Sequence, residues 1–339
     1  MNPILTLLLA AATLSLSWIS QPSGSTASFR GICVVNADVV WVSGSGDTCL
    51  RTTDGGATWR AQRVPGADKL DFRGVVAFDD KMAYLLSAGP GAQAQVYRTE
   101  DGGSHWDNVL SNPDPDGFFD AVAFWDREHG MVLGDPVRGH FAVLTTDDGA
   151  KTWQRQNPPP ALQGEGAFAA SNSCLTLMRN HGRREAWFAT GGLGAARVFH
   201  SADAGRTWSV ATTPIRDDGA SAGIFSLAFA DAQHGIAVGG DYARPDQDLH
   251  NVAVTSDGGQ TWSEPAGVRP KGFRSAVTFM PDRKIWIAVG TSGSDVSYDG
   301  GRNWTAFDSG AFNAMGMASS QAAWAVGPDG RIARLRLAH

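Results

Sequence analysis

Three arginines in this chain each follow a phenylalanine where an apolar segment opens: Phe29-Arg30, Phe72-Arg73 and Phe273-Arg274. A guanidinium offers a planar fork of donors that matches a carboxylate through paired hydrogen bonds. Gathered at one place, three of them would clamp an acidic segment of a partner protein, or a carboxylate-bearing sugar or other small anion. Stacked inside the fold, they would be structural. Asp120 and Asn313 stand at the equivalent place in two further apolar segments. Carboxylates suggest a second chemistry: glycoside hydrolysis needs two of them about 5–10 Å apart. Glu165, Asp120, Asp135 and Asp241 are the candidates, and His140 and Tyr242 fall in connections of the same kind as Asp135 and Asp241.

Residues so distant in sequence meet only if the chain is periodic, and it is. A signature of Ser/Thr, Asp, Gly and Trp recurs six times, from Thr52-Thr-Asp54-Gly-Gly56-Ala-Thr-Trp59 to Ser297…Asp299…Gly301…Trp304. Its tryptophans are 47, 47, 55, 54 and 42 residues apart. Each copy follows three short apolar, β-rich runs bounded by Gly and Asp, as in Phe72–Phe78, Met82–Ser87 and Ala94–Tyr97. Four strands per repeat of this length make one propeller blade. The opening runs start near Phe29, Phe72, Phe118, Asn172, Ile224, Phe273 and Phe312, which predicts an all-β, seven-bladed propeller. The seventh lacks a signature and a fourth strand. Residues 21–28 are expected to supply that strand and close the ring, removing sheet edges that invite aggregation.

In such a ring the innermost strands begin on one face, the top, and radial symmetry gathers their first residues around the channel mouth. The signatures lie on the bottom. Asp54, Asp101, Asp148, Asp203, Asp257 and Asp299 therefore read as turn-formers, their carboxylates accepting backbone N–H groups beside a glycine of positive φ. The third copy has Ala150 where glycine belongs, which predicts a distorted turn.

The signatures match the Asp-box, or bacterial neuraminidase repeat. The fuller pattern, as in Phe124-Trp-Asp-Arg-Glu-His-Gly130 and Phe229-Ala-Asp-Ala-Gln-His-Gly235, resembles the photosystem II assembly/stability factor family over residues 29–337. That resemblance implies a protein-binding propeller acting as an assembly or stability factor through its top-face loops. Arg30, Arg73, Arg274, Asp120, His140, Tyr242 and Asn313 are then the expected binding residues. The alternative is a sialidase-like glycoside hydrolase or a carbohydrate-binding propeller. Sialidases resemble the chain in their boxes and arginine triad. Here Phe29-Arg30-Gly31-Ile32 lacks their proline, the blade count is seven instead of six, and no Tyr–Glu pair stands out.

A net charge of -6 offers no basic field for nucleic acid. Residues 1–27 are read as a leader and short lead-in, and 28–339 as one propeller. Ile4–Leu16 form an apolar run of leader length, too short to span a bilayer, with Ser17, Ser20 or Ala27 before the cut. No cysteine follows the run to carry a lipid. The protein is thus expected to be exported, periplasmic or extracellular, with no membrane span after leader removal. Cys33 and Cys49 fall on first and third strands of one blade, too far apart to bridge, so all three cysteines are expected free and buried. No metal or cofactor is expected. Gly219-Ala-Ser221-Ala-Gly223 lacks the helix of a nucleophile elbow, and Asp241, Asp246, Asp248 and His250 read as a solvated loop.

Overall fold

A computed structural model describes residues 15–338. It contains seven antiparallel sheets, each built on a short run of the predicted kind. The innermost strands are Phe29–Val34, Asp71–Ala77, Phe119–Phe124, Leu175–Asn180, Ala222–Phe229, Ala276–Met280 and Ala314–Ser319. Blade 5 has three full strands, and its fourth survives only as a bridge between Val254 and Ser263. Among the described residues no helix is long and apolar enough to cross a membrane.

The ring closes differently from expectation. Residues 15–21, not 21–28, form the outer strand of blade 7, pairing in register with Ile332–Ala338 from Ser15↔Ala338 to Gln21↔Ile332. The reason lies in alternation. Leu16 is buried in the core between blades 6 and 7, and Trp18 packs on Phe307 and Phe312 with ring centroids 6.0 and 5.3 Å away. The segment 21–28 is rich in Ser, Gly and Pro and offers no such face. The sheet therefore reaches upstream of residue 28 and through Ser17 and Ser20, where cleavage is expected from the sequence. The rest of the apolar leader run lies outside the described residues.

Neighbouring blades are tied by aromatic side chains on the second strands. Tyr84 of blade 2 donates to the carbonyl of Gly149 in the next blade's signature, at 3.1 Å. Trp187 of blade 4 donates likewise to Gly258, at 2.8 Å. At the seam, Gln21 relays this contact. Trp324 Nε1 donates to Gln21 Oε1 at 2.9 Å, and Gln21 Nε2 donates to the carbonyl of Gly55 at 3.1 Å.

All six signatures share one hydrogen-bond pattern. The Ser/Thr hydroxyl accepts the backbone N–H four residues on, as Thr52 does from Gly56 at 2.9 Å. The Asp carboxylate accepts the N–H four residues beyond itself, as Asp54 does from Thr58 at 2.9 Å. Bonds from the Thr58 hydroxyl and N–H, then from Thr52, pull Asp54 down to about 2. The third turn is not distorted. Ala150 takes φ 66° and donates to Thr146 Oγ1 at 3.0 Å, as the glycines do. Its methyl group packs in the core between blades 2 and 3, which offsets the strain of the left-handed backbone.

The cysteines are free. Cys49 is fully buried and its thiol is pushed up to about 12 by that burial. Cys33 is only partly buried, its thiol donating to the carbonyl of Ala77 at 3.5 Å.

Candidate functional site

A cavity of about 450 Å³ opens at the top of the channel. Four bulges build it. In blades 1, 2, 3 and 5 the register between first and second strands slips at Arg30, Arg73, Asp120 and Phe225 respectively. A bulge inserts one unpaired residue and re-aims its side chain. All four bulge residues line the cavity, together with Tyr242, Asn313 and Ser275.

Arg274 does not join them. Blade 6 is offset by one residue: the N–H of Ser275 donates to Val289 as the N–H of Asn313 donates to Val326 in blade 7. Ser275 is therefore the counterpart of Asn313, and Arg274 fills the place of the inward phenylalanines. A one-residue shift moves a side chain to the opposite face. Arg274 is 1% exposed, with Nε donating to Asp295 at 2.6 Å and the other nitrogens to Phe273, Lys271 and Ser292 at 2.7–2.8 Å. Arg274→Met would strand the Asp295 charge, and should lower unfolding free energy by about 3–5 kcal/mol in urea titrations. Ligand binding by the folded fraction should be unaffected.

The two arginines that face the mouth differ in their partners. Arg73 donates to Asp71 at 2.7 Å and to the Ala169 carbonyl at 3.3 Å. Arg30 makes no side-chain hydrogen bond among the described residues; burial first, and then the Arg73 charge, hold its guanidinium below the ordinary value, opposed by Asp71. Two adjacent cations, one of them unpartnered and desolvated, suit an anion.

Of the four carboxylates, the mouth receives two. Glu165 is locked elsewhere. It accepts Arg197 Nε at 2.9 Å, Thr190 Oγ1 at 2.6 Å and the N–H of Leu162 at 2.7 Å, with its side chain fully buried. Asp241 is bound by Arg244 Nε at 2.6 Å and the N–H of Ala243 at 2.9 Å. Neither is placed to serve as an acid or base in the mouth. Asp120 and Asp135 do line the cavity. Asp135 accepts the N–H of Ala167 at 3.0 Å, while Asp120 Oδ2 is buried without a partner. His140 is turned to the Pro158 carbonyl at 3.2 Å and lies outside the mouth, and Asn313 donates to the Phe29 carbonyl at 2.8 Å, stitching blade 7 to blade 1.

Burial, then the Asp135 charge, push the Asp120 carboxyl well above the usual range, against the pull of Arg73. Burial raises Asp135 as well. A carboxyl raised in the fold contributes stability that is complete below its unfolded value and is lost as pH rises through its folded value. Within that window Asp120 costs about 1.4 kcal/mol per pH unit. Asp120→Asn should therefore flatten the decline of melting temperature from about pH 4 upward. A slope equal to wild type would contradict a buried, ionisable Asp120.

Sequence reasoning missed the aromatic wall. Phe168 stacks on Phe225 with centroids 3.9 Å apart, Tyr242 stands edge-on to both, and Phe273 meets Phe225 at 4.7 Å. Phe225 had a signal, since it aligns with Arg30 and Arg73 once the bulges are placed. Phe168 comes from an irregular connection and had none.

No family model matches the chain. In sequence it is 27% identical over 303 residues to the photosystem II assembly lipoprotein Ycf48 of Picosynechococcus sp., covering 76% of this chain and 80% of that one. The Ycf48 of a Synechococcus sp. is 26% identical over 262 residues, covering 75% and 68%. The Arabidopsis thaliana photosystem II stability/assembly factor HCF136 is 28% identical over 115 residues, 33% of this chain and 26% of that one. Among solved structures, one described as YCF48 bound to D1 peptide superposes with a TM-score of 0.63 at 16% identity, covering 96% and 97% of the two chains. YCF48 from Cyanidioschyzon merolae gives 0.61 at 19% identity, covering 94% and 97%. The WD40 propeller of Doa1 superposes as well, at 0.62 and 11% identity, covering 96% and 98%, so the superpositions speak for the fold alone. The chain is homologous to the Ycf48/HCF136 photosystem II assembly factors and shares their seven-bladed propeller.

Proposed function

We propose that the protein is an exported, non-enzymic assembly or stability factor that holds an acidic segment of another protein in its channel mouth. The observation that carries this reading is the Arg30 guanidinium, desolvated beside Arg73 and without a hydrogen-bond partner among the described residues. The homologues support it, being assembly factors by name, and a solved relative is described as binding a peptide. Export rests on the apolar run at residues 4–16 and on the lipoprotein names of the cyanobacterial relatives. The three cysteines of this chain all lie within the propeller.

A labelled peptide ending in four glutamates should bind, with an affinity that falls as salt rises. The same peptide with four glutamines should not. Equal binding of both would overturn the reading. The carbohydrate alternative retains one favouring observation, Asp120 and Asp135 together in the mouth. It predicts turnover of fluorogenic glycosides that Asp120→Asn abolishes.

A further inference from the structure

We propose that a trench running outward from the mouth, along the boundary of blades 3 and 4, takes apolar side chains of the same peptide whose carboxylate meets Arg30 and Arg73. This rests on the reading above and adds a second subsite to it. A second cavity of about 550 Å³ shares Phe118, Asp135, Ala167 and Phe168 with the mouth, so the two form one continuous depression. Five glycines line it: Gly139, Gly164, Gly166, Gly191 and Gly192. A Cβ at Gly139 or Gly164 would meet nothing, so at those two the surface is bare backbone, whereas at Gly166, Gly191 and Gly192 it would run into Asp135, Phe168 and the Gly164 carbonyl. An extended chain can approach closely at Gly139 and Gly164, where no side chain intervenes.

The trench carries exposed leucines: Leu162 lines it and is 47% exposed, and Leu193, next in sequence to its Gly192, is 67% exposed. Exposed large apolar side chains are not spread evenly over the molecule. Leu162, Leu193, Tyr242 and Leu249 all lie in top-face connections leading into or within blades 4 and 5. Ile19 and Val210 sit on outer strands, Val268 hydrogen-bonds to the signature of blade 6, and Tyr298 lies within it. A cluster of this kind marks an interaction surface where scattered residues do not. Charge fixes the direction: the cations line the mouth and Leu162 lines the trench that continues from it. The occupant is therefore an extended peptide with a carboxylate group followed, several residues along, by apolar side chains. Glu165, buried under the trench and bonded to the N–H of Leu162, holds this connection in place.

Two labelled ten-residue peptides test this by fluorescence anisotropy. Both end in glutamates; one carries two leucines near the opposite end and the other serines there. The wild-type protein should bind the leucine peptide about tenfold more tightly, because two apolar side chains leave water. In Leu162→Ser/Leu193→Ser the advantage should vanish while the serine peptide keeps its affinity. Both leucines are exposed, so the fold should not suffer. A leucine advantage that persists in this variant, or that is absent from wild type, overturns the trench while leaving the acidic subsite standing. Binding of neither peptide to wild type overturns both.

Discussion

A chain cut to begin at Pro22 is expected to lose more than about 5 kcal/mol of stability relative to one beginning at Ser15, which is a large part of the 5–15 kcal/mol typical of a folded domain. The cut removes a seven-residue ladder, from Ser15↔Ala338 to Gln21↔Ile332. It empties the places of Leu16 and Trp18 in the core between blades 6 and 7. Trp18 also donates to Ser294 at 3.0 Å, and Gln21 links Trp324 to the Gly55 carbonyl. Losing one large buried side chain costs about 2–5 kcal/mol, and here two go together with the seam. The exposed edge at Ile332–Ala338 would then pair with other molecules. Thermal melts should show a lowered or vanished transition, and size-exclusion chromatography should show aggregates. Equal melting temperatures would contradict this closure. The same ladder predicts that any leader cleavage leaves Ser15 and the residues after it on the chain, which an intact-mass measurement would read.

Reversing both mouth arginines, Arg30→Glu with Arg73→Glu, should weaken binding of the glutamate peptide by about a hundredfold or more. Arg30 has no side-chain hydrogen bond to lose among the described residues, though its reversal also turns its attraction to Asp71 into repulsion. Arg73 gives up its pair with Asp71, which is partly exposed and worth little to stability. The reversed charges face Asp71 and Asp120, so the double variant should melt below wild type, yet its folded fraction should fail to bind. Arg274→Met should instead leave binding by the folded fraction intact, since that side chain is held by Asp295 inside blade 6. The two variants together separate recognition from folding, which a single arginine substitution would confound.

The propeller was legible because each blade repeats its local chemistry. Six copies of one turn and seven apolar openings leave little freedom in blade number or in which face carries the signatures. The mouth was legible only in part. Arg30, Arg73 and Asp120 reach it because each sits on a bulge beside an inward phenylalanine. Arg274 carries the same Phe-Arg pair, yet blade 6 has no such bulge and its first pairing is Ala276↔Val289. A one-residue offset changes no residue type in the pattern and reverses which side chain faces the channel. Glu165 illustrates a different limit. Its burial depends on Arg197, 32 residues away at the start of a strand, and no spacing rule ties that to the irregular connection holding Glu165. The closing strand was misplaced because an apolar leader and an alternating strand share residues 15 and 16, and composition favours the leader.

The most direct measurement is photocrosslinking of the glutamate peptide, carrying a benzophenone beside its acidic end, followed by mapping of the attached residue. Attachment at Phe168, Phe225 or Tyr242, lost in the Arg30→Glu/Arg73→Glu variant, is the predicted result. Attachment on the outer strands or among the six signature turns, unchanged by the double variant, would contradict recognition at the channel mouth.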